Sequence, residues 1–136
     1  MRGAYGTHMP LKVGLAASLT LEVGEPDTAL AMRSGDVPVL ATPRLVALAE
    51  QASVEAVANE LPAGTTTVGY EVQIAHLAPT PVGGRVTADA TLESLEGRRL
   101  TFRISVSDAR GLVAAGRITR VVVERGRFLE RSRTES

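Results

Sequence analysis

Apolar and polar residues alternate with a period of two from Ser18 onward, with Leu19, Leu21 and Val23 set against Ser18, Thr20 and Glu22. That alternation predicts a strand with one buried face. The pattern lapses between Gly24 and Pro38, where Gly, Pro, Asp and Ser predict a connection. Thr42-Pro43 then opens a helix, with Thr as the expected N-cap and Pro at the first helical position. The helical run, rich in Ala, Leu and Glu, extends to Glu60 and stops at Leu61-Pro62-Ala63-Gly64. Everything after Gly64 reads as strand. Val68, Tyr70, Val72, Ile74 and His76 fall on one face by alternation. Val86, Ala88, Ala90 and Leu92 oppose Thr87, Asp89, Thr91 and Glu93 in the next strand. Leu100, Phe102, Ile104 and Val106 mark a third, and Leu112 to Val123 a fourth. The turns at Glu96-Gly97 and Asp108-Ala109-Arg110-Gly111 are too short for parallel crossovers, so the sheet is expected to be antiparallel. The layout is α+β: one long helix against a curved antiparallel sheet of about five strands.

The ends stand apart from this pattern. Residues 1–9 end in Gly-Thr-His-Met and are expected to be an expression-tag remnant, lacking the apolar stretch of a signal peptide. Residues 10–128 then form the single domain. From Arg125 the chain is arginine-rich with few apolar residues, which predicts a frayed end, with 129–136 as a flexible tail.

Composition narrows the chemistry. The 136 residues carry 15 Lys+Arg against 15 Asp+Glu, 44% hydrophobic residues and no Cys. A balanced charge argues against a nucleic-acid partner held by a basic field. Without Cys there is no disulfide, thiolate nucleophile or zinc ribbon. Two histidines, His8 and His76, are too few for a three-His zinc site, so no metal is expected. No apolar run approaches the roughly 20 residues of a membrane span, and a cytoplasmic location is expected.

Three residues break the pattern in ways that suggest chemistry. Glu50 falls among Val46, Val54 and Val57 on a helical wheel, where a lone carboxylate has to be hydrogen-bonded, neutral or functional. The plainer reading is a helix edge from which Glu50 reaches water. His76 continues the apolar face of its strand, as a backbone-bonded structural histidine or as a general base. Thr42 is accounted for as a cap. Together, a hydroxyl at a helix start, a carboxylate two turns on and a histidine on the covering sheet suit acyl transfer, with helix-start amides polarising a carbonyl.

The strings Ala41-Thr42-Pro43, Leu48-Ala49-Glu50-Gln51-Ala52, Val72-Gln73-Ile74-Ala75-His76-Leu77-Ala78-Pro79-Thr80-Pro81 and Glu96-Gly97-Arg98-Arg99-Leu100 resemble the hot-dog-fold thioesterases of the fluoroacetyl-CoA thioesterase type. The similarity runs from about Val13 to Phe128. The resemblance implies a sheet wrapped around a central helix and a homodimer with sites near the subunit interface. It also implies acyl-thioester hydrolysis by Thr42, Glu50 and His76. Gly69 and Arg120 match positions tied to that active site, and Val39 and Leu40 are the expected lining of the acyl pocket. The implied substrate is an acyl-CoA, or an acyl-carrier protein presenting phosphopantetheine, with no separate cofactor. Residues 31–40 contain no aromatic side chain, so a short- or medium-chain acyl group other than fluoroacetyl is expected. Two other readings are a non-catalytic acyl-thioester-binding protein and a hot-dog dehydratase or hydratase. The latter calls for an Asp-His motif that the sequence does not contain.

Overall fold

The computed structural model describes residues 11–133. The expected tag remnant, with His8, and the final residues 134–136 lie outside that range. Strand β1 (Ala16–Glu22) is followed by a 3-10 turn at Glu25–Asp27 and a short helix, α1 (Ala29–Met32). The long helix α2 (Thr42–Val57) continues into a 3-10 turn over Ala58–Glu60. Strands β2 (Thr65–His76), β3 (Arg85–Glu96), β4 (Arg99–Asp108) and β5 (Gly111–Glu124) complete one antiparallel sheet in the order β1-β3-β4-β5-β2.

The alternation read from the sequence is the burial pattern of the central strands. Val86, Ala88, Ala90 and Leu92 of β3, and Leu100, Phe102, Ile104 and Val106 of β4, are all buried against α2. The helix contributes Leu45, Leu48, Ala49, Ala52, Ser53, Ala56 and Val57. Alanines 49, 52 and 56 let the helix axis approach the sheet closely, whereas Ala47 and Ala58 are exposed. At about 25 cal/mol per Å² of apolar surface removed from water, this single layer-on-layer contact dominates the folding energy.

Three expectations are corrected. The connection before α2 is not irregular throughout: Thr28 accepts a hydrogen bond from the Ala31 amide and caps the extra helix α1. The arginine-rich end is helical over Arg125–Arg133 (α3), started by Glu124, whose carboxylate accepts from the Arg127 amide at 2.8 Å. Most consequentially, β2 does not keep one face along its length. Its register against β5 shifts between Gly69 and Glu71, so Tyr70 is an extra, bulged residue. Before the bulge, Thr67 and Gly69 pair with the inward residues Val122 and Arg120; after it, Val72, Ile74 and His76 pair with Ile118, Gly116 and Ala114. Val68 and Tyr70 therefore stand on the outer face, away from α2.

The helix lies chiefly over β1 and β3. The inner face of β5 and β2 is left partly open, and inward-pointing Val72 is 40% exposed although it pairs with fully buried Ile118.

Candidate active site

Thr42 does not cap its helix. The N-cap is Ala41, so the helix begins one residue earlier than the sequence suggests and Thr42 and Pro43 are its first two residues. The shift releases the hydroxyl, since an N-cap side chain would be occupied by a first-turn amide. Instead Thr42 Oγ1 and His76 Nδ1 share a hydrogen bond of 2.7 Å. The shift also leaves the amides of Thr42 and Arg44 at the helix start, where no preceding turn supplies acceptors and the helix dipole is positive.

His76 is the last residue of β2, half-buried, with Nε2 sealed from solvent and without a hydrogen-bond partner of ordinary geometry among the described residues. A buried ring nitrogen left unpaired is costly unless something else completes it. Burial pulls the His76 pKa below its ordinary value, opposed by the Ala78 backbone, so the ring is neutral near pH 7. A neutral imidazole tethered at one nitrogen has the other free to take or give a proton.

Thr42 and His76 open onto a cleft of about 310 Å³, walled by Ala29, Val37, Val39, Leu40, Ala78 and Pro79. Val39 and Leu40, the residues expected to line an acyl pocket, are thus among the walls of this cleft. The wall from α1 and the Ser34-Gly35 turn is a feature the sequence reading passes over as loop.

Glu50 belongs to a second cluster. Of its neighbours on the helical wheel Val57 is buried, Val46 half-buried and Val54 39% exposed, so it occupies a shoulder at the border of the apolar arc. Its carboxylate accepts from Arg120 Nη1 at 3.3 Å. Arg120 is 8% exposed and held rigidly, donating through Nε to Thr67 Oγ1 at 2.9 Å and through Nη2 to the Thr67 carbonyl at 3.0 Å. Burial pulls its pKa below the usual arginine range and the Glu50 charge opposes that pull. Gly69 completes the cluster by having no side chain: a Cβ there would stand 2.8 Å from Glu50 Oε2. Arg120, which the resemblance implies as a substrate-binding residue together with Gly69, has its guanidinium hydrogen-bonded to Thr67 and Glu50. Thr67 is missed by the sequence reading. The signal that points to it is Gly69 inside an otherwise regular strand, a mark of a bulge or close approach.

Within one chain the two clusters stay apart. Thr42 and Glu50 are eight residues apart on one helix, about 12 Å along its axis at about 1.5 Å per residue. Neither Thr42 nor His76 has a hydrogen bond to Glu50. Among the described residues no three His, Cys, Asp or Glu side chains gather in a metal-binding group, and no helix is long and apolar enough to cross a membrane.

Residues 23–126 match the profile of the fluoroacetyl-CoA-specific thioesterase family. The chain belongs to that family. It is 39% identical over 90 residues to a fluoroacetyl-CoA thioesterase from Streptantibioticus cattleyicolor, a stretch covering 66% of this chain and 65% of that protein. A solved structure of a fluoroacetyl-CoA thioesterase superposes with a TM-score of 0.84 at 31% identity, over 93% of this chain and 98% of the other. A thioesterase-superfamily protein from Thermus thermophilus superposes equally well, with a TM-score of 0.84 at 28% identity over 91% of this chain and 92% of its own. A hot-dog-like protein from Thermanaerovibrio acidaminovorans, 28% identical, matches over 90% of both chains with a TM-score of 0.83. The architecture is the hot-dog fold.

Proposed function

We propose that this protein is an acyl-CoA thioesterase whose catalytic groups are Thr42, Glu50 and His76. The observation that carries the reading is the 2.7 Å Thr42–His76 hydrogen bond at the mouth of an apolar cleft, on the face of a helix N-terminus. A family relative has been crystallised with fluoroacetate and CoA, and another form with acetyl-CoA, which supports a coenzyme A thioester as the substrate class here. The thioester carbonyl lies at the start of α2, where the free amides stabilise the developing oxyanion. In the direct route water adds to the carbonyl carbon as His76 takes its proton, and the C–S bond breaks as His76 passes that proton to the thiolate; in the covalent route the Glu50 carboxylate adds first and expels the thiolate, and water, giving its proton through His76 to the thiolate, then hydrolyses the acyl–Glu50 anhydride to the free acid. The products are the free acid and coenzyme A, and no cofactor enters. The cleft wall of Ala29, Val37, Val39 and Leu40 suits a short or medium aliphatic acyl group. A carrier protein's phosphopantetheine presents the same thioester and arm. A cysteine-free chain suits a cytoplasmic place of work.

This chemistry needs Glu50 close to His76, which one chain does not provide, and we assign the missing proximity to a homodimer. Strand β2 ends the sheet and leaves twelve residues with an unpaired edge. Pairing two β2 edges antiparallel about a twofold axis near Val72 and Gln73 sets Gly69 of one copy beside His76 of the other. Glu50, which rests on Gly69, then faces the partner subunit's His76. The half-open apolar positions around this edge, Val54, Val72 and Leu77, at 39%, 40% and 59% exposure, support burial there.

The test is thiol release from a panel of acyl-CoA thioesters by wild type, Glu50→Gln and His76→Ala. Each substitution is expected to lower kcat by about 10² or more, the usual scale of general acid–base catalysis. Unchanged turnover in either variant removes that residue from the mechanism.

A further inference from the structure

We propose that Arg44 is a positioning residue that holds the Asp27 carboxylate off the start of α2, leaving the free amides there open to the substrate's oxyanion. The inference rests on the acyl-CoA reading above and names a pair of residues that reading does not use. Arg44 carries a charge of the wrong sign for its place. It is the third residue of α2, where the positive end of the helix dipole favours Asp or Glu and opposes a cation. The first turn has no acidic residue and no side-chain cap, and Pro43 has no N–H. Backward hydrogen bonds begin at the Leu45 amide, which donates to the Ala41 carbonyl at 3.0 Å. The amides of Thr42 and Arg44 therefore lack the partner that a helix start ordinarily recruits.

One carboxylate is nevertheless brought to this end of the helix. Asp27 ends the 3-10 turn after β1, and its carbonyl accepts from the Ala41 amide at 2.9 Å, one residue before Thr42. Its side chain is turned to other donors. Oδ2 accepts from the Gly24 amide at 2.8 Å and Oδ1 from Arg44 Nε at 3.0 Å. An exposed ion pair contributes little, but here the two side chains keep only 29% and 18% of their exposure. Partial burial makes the pair costly to break from one side.

A structural clamp explains the pair but not its arrangement. Backbone bonds already join the strap to the helix start, from the Ala41 amide to Asp27 and from the Ala29 amide to Val39 at 2.8 Å. Asp27 bonded to a first-turn amide would stabilise α2 with no arginine at all. The fold instead forgoes that cap and leaves the amides free beside Thr42, whose hydroxyl bonds His76 at the cleft. A carboxylate lodged on those amides would occupy the donors that an oxyanion needs and repel its charge. Arg44 prevents both. It acts through Asp27 and touches no reacting atom.

The test sets activity against stability. Arg44→Met, Arg44→Lys and the double variant Arg44→Met/Asp27→Ala are compared with wild type in acyl-CoA turnover, urea denaturation and amide NMR of isotope-labelled protein. In Arg44→Met the released carboxylate caps the helix, so kcat is expected to fall about tenfold or more with KM changed less than about twofold. The urea midpoint is expected to stay level or rise, and the Thr42 amide proton to move downfield as it donates to Asp27. The double variant removes one charge of each sign; its kcat is expected to return to within about threefold of wild type, and its Thr42 amide to move back. Arg44→Lys keeps a cation on Asp27 and is expected to retain most of the activity. Unchanged kcat in Arg44→Met overturns the proposal. So does a double variant no more active than Arg44→Met. An Arg44→Met midpoint that falls together with kcat overturns it too, and makes the pair a structural clamp. If wild type hydrolyses no acyl-CoA, the acyl-CoA reading fails by itself, and the Thr42 amide still decides the role of Arg44: an unmoved resonance in Arg44→Met overturns it.

Discussion

A carboxylate on a helix shoulder needs its surroundings to hold it, and at Glu50 each neighbour does a different part of that work. Arg120 supplies charge, Thr67 fixes Arg120, and Gly69 supplies space. Gly69→Ala is therefore an informative change. Its Cβ would stand 2.8 Å from Glu50 Oε2, so the carboxylate must move. Displacement of a reacting group by about 1 Å can cost up to about 10² in rate, so kcat is expected to fall at least about tenfold. The denaturation midpoint should change little, because the strand backbone at Gly69 suits any residue; a variant with full kcat shows that Glu50 tolerates the shift. For His76 the sign of the pH effect follows from burial. Its folded-state pKa lies below the unfolded value of about 6.5, so the unfolded chain binds more protons under acid conditions. Its contribution to stability is fully present above about pH 6.5 and is lost as pH falls through the folded value. An NMR titration of His76 in the Glu50→Gln variant, where no carboxylate can face the ring, is expected to give a midpoint below about 6.5. A midpoint above that value contradicts the burial argument.

At the scale of elements, two small irregularities make the site. The N-cap of α2 lies at Ala41, which turns Thr42 from a structural cap into a free hydroxyl facing the end of β2. The bulge at Tyr70 lets one strand present Gly69 on one side of the break and His76 on the other, both toward the helix. The sequence pattern makes the strand, the helix and most of the core legible, since period-two and helical spacing report burial directly. It misplaces Val68 and Tyr70, because an alternation count has no means of registering one inserted residue. The β2–β5 pairing also contains a steric requirement. A Cβ at Gly116 would stand 1.9 Å from the Gln73 carbonyl oxygen, so Gly116→Ala forces the two backbones apart. Urea denaturation is expected to show a loss of about 3 kcal/mol or more, at the upper end of overpacking costs. Arg120→Met, by comparison, strips two hydrogen bonds from Thr67 and is expected to cost about 1–3 kcal/mol.

For the molecule as a whole, the separation of Glu50 from the Thr42–His76 pair has a direct consequence in solution. If each site takes its histidine from one subunit and its carboxylate from the other, two inactive variants complement one another. Glu50→Gln and His76→Ala, co-refolded in equal amounts, yield mixed dimers with one intact site in two, and about a quarter of wild-type activity is expected to return. No recovery places the whole site within one chain. Gel filtration of Val72→Asp, which puts a charge at the centre of the proposed β2–β2 contact, is expected to show a monomer with little thioesterase activity.

The order of the five strands and the long helix, the antiparallel sheet, the buried faces of β3 and β4 and the candidacy of Thr42, Glu50 and His76 follow from the sequence alone. Each depends on local spacing or on a residue type out of place in its pattern. Which of those residues meet depends on distances between elements, and tertiary structure decided it. Thr42 and His76 come together because α2 starts over the end of β2. Glu50 turns instead to Arg120 and Gly69 because the helix carries it about two turns further on. Periodicity reports which face of an element is buried, but not how far along its neighbour a given side chain will land.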